Sequence, residues 1–292
     1  MHDEACLFFT RSKSAQGKGR GMQPHSDPEL THFKREFHQL SGYNLDNYQH
    51  IQIDRRLQEI LHTTHSQNLA ELLIYFKQNS NELRKFLDGL SINVSEFFRN
   101  AERFQEIQNK ILPELLSRRP RLRIWSAGSS IGAEIYSLLM ILEHLGAADH
   151  CHFLASDIDR DALERARKGV FLPDLLQHVS KKDLSTFFDP CLDENKANAY
   201  VFKQKWREKV HFIHHDLLTD DYPLQFDLIA CRNVMIYFTK EAKTRVYQQF
   251  YSSLREGGVL FVGGAEQLIQ AHEIGYNRLS SYFYQKQKMG KP

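Results

Sequence analysis

The chain has 292 residues, 41% hydrophobic and 25% charged, the composition of a globular protein long enough to bury a core. Its 38 Lys and Arg against 36 Asp and Glu leave a net charge of +2, which makes no case for a nucleic-acid binder or a membrane-surface protein. The four cysteines, Cys6, Cys151, Cys191 and Cys231, form no CxxC pair. A structural zinc site or disulfide framework is therefore not expected, and reduced thiols in a cytoplasmic protein are the plain reading.

The N-terminal apolar stretch Cys6-Leu7-Phe8-Phe9 is too short for a signal-peptide core, and no apolar run approaches the ~20 residues of a membrane span. Residues 1–28, rich in Ser, Gly, Lys and Arg from residue 10 on, are expected to be a disordered tail, with Met22 as an alternative start inside it. Residues 29–90 carry apolar stripes at helical spacing: Phe33, Phe37 and Leu40; Ile53, Leu57, Ile60 and Leu61; Leu69, Leu72, Leu73 and Phe76; Leu83, Phe86, Leu87 and Leu90. Polar breaks separate them, so four amphipathic helices forming a small all-helical module are predicted. Residues 91–100 read as a linker into a second domain spanning 101–292.

After residue 120 strand and helix patterns alternate. Strands are predicted at 123–127, 151–156, 210–213, 226–231 and 259–263, with a helix from about Ala133 to Leu145. Such alternation predicts an α/β fold, a mostly parallel doubly wound sheet of Rossmann-like type. Asp189-Pro190, the polar stretch 193–198 and Tyr200-Val201-Phe202 interrupt it, which marks residues 178–208 as a small antiparallel β insertion.

The strongest local signal for chemistry is Ser126-Ala127-Gly128-Ser129-Ser130-Ile131-Gly132 between a strand and a helix. Small residues there let the backbone approach a ligand. Asp157, ending the next strand, can accept hydrogen bonds from both hydroxyls of a ribose. This pair suits any adenosine cofactor, nicotinamide cofactors included, and Asp at a strand end also serves as an ordinary helix cap. His211, His214 and His215 bracket a strand without further convergent ligands, so no metal site is expected.

Two further segments narrow the choice: Asn93-Val94-Ser95-Glu96-Phe97-Phe98-Arg99, and Cys231-Arg232-Asn233-Val234-Met235-Ile236-Tyr237-Phe238. With Trp125-Ser126-Ala127-Gly128, Glu134-Ile135-Tyr136-Ser137 and Gly263-Gly264-Ala265-Glu266, they resemble the CheR-type chemotaxis receptor methyltransferases over nearly all of residues 29–288. The resemblance implies a Rossmann-like S-adenosylmethionine methyltransferase domain that esterifies glutamate carboxylates of chemoreceptors, yielding S-adenosylhomocysteine. A glutamate is already ionised at neutral pH, so no general base is required and positioning is the main task.

By the same resemblance, Arg99 orients the acceptor carboxylate through paired hydrogen bonds and Tyr237 places it near the methyl group. On the residues alone, Arg99 reads as a surface arginine after two core phenylalanines and Tyr237 as a half-buried aromatic. Asn93, Ser95, Ala127, Gly128 and Glu134 match positions around the cofactor's amino-acid end, Asp157 the ribose, Asp216 and Leu217 the adenine, and Arg232 and Asn233 the same pocket. One departure is Ala133, which stands where the family has the first of two glutamates. Since neighbours on a helix point about 100° apart, Glu134 is not expected to replace it automatically. A degenerate, non-catalytic regulator is the alternative this raises. The implied partner is the helical cytoplasmic region of chemoreceptors, with Arg55, Arg56, Lys77, Arg84 and Lys85 as a basic docking face and the β insertion as a site for strand addition. Nothing in the chain requires more than a monomer.

Overall fold

Phe33 and Phe37, one helical turn apart, are both buried, and their rings stack at 5.5 Å. Phe37 meets Phe76 at 6.1 Å and Phe86 at 5.6 Å, and Phe76 meets Phe86 at 5.3 Å. These rings come from three of the four helices of an N-terminal module: α1 (Pro28–Ser41), α2 (His50–Thr64), α3 (Leu69–Gln78) and α4 (Ser80–Asp88). Burying each ring contributes about 1.5–3 kcal/mol, as does each of the buried Leu and Ile side chains that pack with them, Ile53, Leu57, Leu72 and Leu73 among them. Asn68 caps α3 by accepting from the Glu71 backbone N–H at 2.9 Å, and His65 ends α2 in the left-handed conformation. The computed structural model describes residues 28–88 and 95–287. The expected tail short of Pro28, Leu90 and Asn93 lie outside the described residues.

A helix that begins as α5 (Ala101–Glu106), widens into a π turn at Ile107–Ile111 and continues as α6 (Leu112–Arg118) leads into the larger domain. There follow β1 (Arg123–Ala127), α7 (Ala133–His144), β2 (His152–Asp157), α8 (Arg160–Lys168), β3 (Val170–Phe171), α9 (Lys181–Phe187), β4 (Phe188–Leu192), β5 (Asn198–Phe202), α10 (Gln204–Arg207), β6 (Val210–His214), β7 (Phe226–Cys231), α11 (Lys240–Ser253), β8 (Leu254–Val262), α12 (Ala271–Ile274), β9 (Tyr276–Arg278) and β10 (Phe283–Lys286). The main sheet has the order β6-β2-β1-β7-β8-β10-β9, parallel from β6 through β8. Strand residues alternate between two cores. Ile124, Ala155, Leu228, Ala230 and Phe261 join α7 and α8 on one face. Trp125, Ala127, Ile229, Leu260 and Tyr284 join α11 and the helical module on the other.

The expected fold class holds, with two refinements. The last two strands are antiparallel, β10 against β8 and β9 against β10, where the alternation predicted only a final strand at 259–263. The small antiparallel sheet, in the order β3-β5-β4, reaches back to Val170–Phe171, before the expected start at 178, with the helix α9 between β3 and β4 in the chain. Polar turns flagged the β4–β5 hairpin, whereas a two-residue edge strand leaves no periodicity to read.

Candidate functional site

In the parallel part of the sheet, β1 runs on to β2 on one side and pairs with β7 on the other. The chain leaves in opposite directions at that point and opens a crevice at the carboxyl ends of these strands. A cleft lies there, lined by Ser95, Arg99, Gly128, Glu134, Asp157, Asp216, Leu217, Arg232, Asn233 and Tyr237 among the residues singled out from sequence. Ala127 is not among them. It is fully buried, and its position in β1 turns its side chain into the core with Trp125.

The glycine-rich turn is built by backbone bonds. Gly128 and Ser129 donate their N–H groups to the Ser156 carbonyl at 2.8 and 2.9 Å, and Ser130 N–H donates to Asp157 Oδ2 at 2.7 Å. Gly128 has φ +77°, and a Cβ on it would lie 2.3 Å from Val234 Cγ2, so glycine is needed for both conformation and space. Asp157 Oδ1 accepts the Asp159 N–H at 3.0 Å. Each oxygen thus takes one of these two bonds and keeps lone pairs for a ligand's hydroxyls. Burial pushes the Asp157 carboxyl above its ordinary pKa, opposed by those backbone donors.

Glu134, in the first turn of α7, accepts from Ser126 Oγ at 2.8 Å and pairs with Arg232 Nη1 at 3.4 Å. Burial raises its pKa, and the Arg232 charge works against that rise. Ala133, its neighbour, is fully buried among the apolar side chains between α7 and the sheet. The departure from the family pattern therefore falls in the core, and the carboxylate in the cleft is Glu134. Arg232 also donates to the Arg99 carbonyl at 2.9 Å and Asn100 Oδ1 at 2.8 Å, and its guanidinium lies 4.6 Å from the Phe261 ring centroid. One buried arginine thus joins the linker, the glycine turn's helix and the end of β7.

Several lining residues were not assigned to the pocket from sequence. Tyr48 and Leu87 come from the helical module, and Ser129, Ser130, His215, Val234 and Phe238 flank predicted positions. His215 is buried with its ring edge against Trp125 and Tyr222, and its Nδ1 has no partner among the described residues. Tyr48 packs edge-on against Phe238 at 5.5 Å, and burial, then the nearby Asp216 charge, pushes its phenol pKa up. Nothing local in the sequence marks Tyr48, because its neighbours in the cleft are distant along the chain.

Chemically the cleft offers one buried carboxylate with spare lone pairs, a second carboxylate beside a guanidinium, and a glycine turn open to close approach. Those features fit a nucleoside that also carries a charged amino-acid end. The chain matches the CheR methyltransferase all-alpha domain over residues 28–91 and the CheR methyltransferase SAM-binding domain over residues 93–283. It is 37% identical over 266 residues to a chemotaxis protein methyltransferase of Listeria monocytogenes, covering 91% of this chain and 100% of that one. A Listeria innocua chemotaxis protein methyltransferase is 35% identical with the same coverage. Chemotaxis protein methyltransferase 2 of Vibrio cholerae is 28% identical, covering 89% of this chain and 90% of its own length. The glycine turn, the acidic strand end and these matches together make S-adenosylmethionine the cofactor, and the chain belongs to the CheR methyltransferase family.

Proposed function

We propose that this methyltransferase esterifies glutamate side chains in the helical cytoplasmic region of chemoreceptors. When bound, S-adenosylmethionine supplies an electrophilic methyl group and departs as S-adenosylhomocysteine. In this reading Asp157 accepts the ribose hydroxyls, Asp216 and Leu217 border the adenine, and Glu134 meets the ammonium of the amino-acid end. Ser95, Arg232 and Asn233 complete the pocket, and Asn93 is assigned to it by sequence alone. Arg99 grips the acceptor carboxylate through its planar donor fork, and the Tyr237 hydroxyl holds it in line.

The observation that carries this reading is the convergence of Arg99 and Tyr237 on the same cleft as Glu134 and Asp157. An arginine and a tyrosine can orient an anion that is already nucleophilic, which is what a carboxylate acceptor requires and an amine acceptor does not. Arg55, Lys77 and Arg84 are exposed on the helical module and suit an acidic helical partner. Arg56 and Lys85 instead pair with Glu59 and Glu82 on their own helices, each at 2.8 Å. Each ester would remove one negative charge from packed receptor helices and ease their repulsion. The test is transfer of labelled methyl from S-adenosylmethionine to a receptor cytoplasmic fragment, scored as base-labile label lost on glutamate-to-alanine substitution in the fragment. Label that resists base, or that persists without glutamates, sinks the reading.

A further inference from the structure

Glu266 lies outside the cleft lining, yet its carboxylate reaches the segment that carries Arg232, Asn233 and Tyr237. It is 2% exposed. Its Oε2 accepts the backbone N–H of Asn233 at 2.6 Å and of Gly263 at 2.8 Å, and its Oε1 accepts the N–H of Met235 at 2.7 Å. Asn233 sits in the left-handed region at φ +60°, a conformation that needs support from its surroundings. Two residues beyond Met235 comes Tyr237, at the end of a single 3-10 turn over Met235–Tyr237. The approach is close enough to exclude a side chain at Gly263, whose Cβ would lie 2.2 Å from Glu266 Oε2 and 3.1 Å from the Asn233 nitrogen. The far side of Glu266 is anchored as well, its carbonyl accepting Tyr247 Oη–H at 2.8 Å.

We propose that Glu266 is a positioning residue for methyl transfer, its carboxylate acting as a buried clamp that fixes the turn from Asn233 to Tyr237 and so the placement of the Tyr237 hydroxyl. An ionised carboxylate accepts at both oxygens and donates nothing, which is what three converging N–H groups need. A carboxamide in its place turns an NH₂ toward one set of donors and leaves backbone N–H groups unmet. Arg232 keeps its own partners on the linker and α7, and of the pocket residues the clamp holds only Asn233, through its backbone N–H, so most cofactor contacts lie outside the clamp. The proposal rests on Tyr237 acting as the acceptor-orienting group.

The experiment compares the full-length chain with Glu266→Gln, Gly263→Ala and Tyr237→Phe, alone and paired, in methyl transfer to a receptor fragment and in S-adenosylhomocysteine calorimetry. Gly263→Ala displaces the carboxylate without altering its chemistry. Glu266→Gln and Gly263→Ala are each expected to lower kcat by roughly 10- to 100-fold, the scale of one or two charge-assisted hydrogen bonds. The cofactor Kd should move by less than about threefold. Glu266→Gln with Tyr237→Phe should be no slower than the slower single variant, because both act on one hydroxyl. A kcat within about twofold of wild type, an equal loss in cofactor affinity, or effects that multiply would overturn it. If the wild-type chain transfers no methyl to the fragment, the substrate reading fails on its own. The clamp is then judged by amide hydrogen exchange over 232–238 in the S-adenosylhomocysteine complex: faster exchange in both variants upholds it, and unchanged exchange overturns it.

Discussion

Gln49 donates its backbone N–H to the Tyr237 carbonyl at 2.9 Å, across 188 positions of sequence. The Gln49 side chain adds a bond from Nε2 to the Phe238 carbonyl at 3.3 Å, and Thr239 N–H returns one to the Asn47 carbonyl at 2.9 Å. Arg245 Nη2 completes the seam on Asn47 Oδ1 at 2.7 Å. The helical module is thus stitched to the segment that carries Tyr237, and it also lends Tyr48 to the cleft wall.

Gln49→Pro probes that seam, removing both the backbone donor to Tyr237 and the side-chain donor to Phe238. Gln49 has φ −65°, which proline adopts, and Tyr48 before it is extended, as a residue preceding proline prefers. The substitution removes the donor with little backbone strain. The stranded Tyr237 carbonyl should cost about 1–3 kcal/mol of stability by denaturant titration. Methyl transfer should fall by about tenfold while cofactor binding holds. Unchanged turnover would show that the module does not govern Tyr237.

Ala133→Glu is expected to harm the protein rather than improve its cofactor site. The position, the first of α7, is fully buried in the core, and an unpaired carboxylate there costs several kcal/mol or shifts to its neutral form. A large fall in melting temperature with no gain in affinity for S-adenosylhomocysteine is the expected result. Glu134→Gln, by contrast, should leave the fold intact and weaken binding by roughly ten- to a hundredfold, the worth of one charge-assisted bond. Tighter binding by Ala133→Glu would reverse this assignment of the two positions.

Cofactor affinity should fall as the medium is acidified, beginning above the pH at which an ordinary glutamate protonates. Burial raises the pKa of both Glu134 and Asp157 in the folded chain, so protonation removes the anionic partners early. The sign for stability is the opposite. A carboxyl raised by folding contributes fully below its unfolded pKa, and that contribution is lost as pH rises through its raised value. The cofactor's ammonium favours ionised Glu134, so binding in mildly acidic buffer should release a proton. Calorimetry in buffers of different ionisation enthalpy measures that release, and Glu134→Gln should reduce it.

Gly128→Ala should cripple the cleft at its floor. The new methyl group meets Val234 Cγ2 at 2.3 Å, and φ +77° is strained for alanine. A loss of about 1–2 kcal/mol in stability is expected, with a cofactor affinity too weak for calorimetry. Adding Val234→Ala relieves the clash but not the backbone strain, so binding should return only in part. Full recovery would mean that space alone selects glycine there.

Local pattern made much of this protein legible. The apolar stripes of residues 29–90 wrote four helices because a 3.6-residue repeat needs only nearby neighbours. The strand-turn-helix at Ser126–Gly132 and the acid at Asp157 are each read within one βαβ unit, and the Arg99 and Tyr237 segments were recognisable as contiguous words. Position on a face was legible only where it follows from such a repeat. The first turn of α7 has no repeat before it, so the sequence could not say that Ala133 turns into the core and Glu134 into the cleft. The antiparallel β9–β10 pair, the Gln49–Tyr237 seam and the Glu266 clamp were decided by the tertiary structure alone. Each needs backbone N–H or C=O groups to meet partners from distant segments, and only the packed sheet and helices define which segments meet.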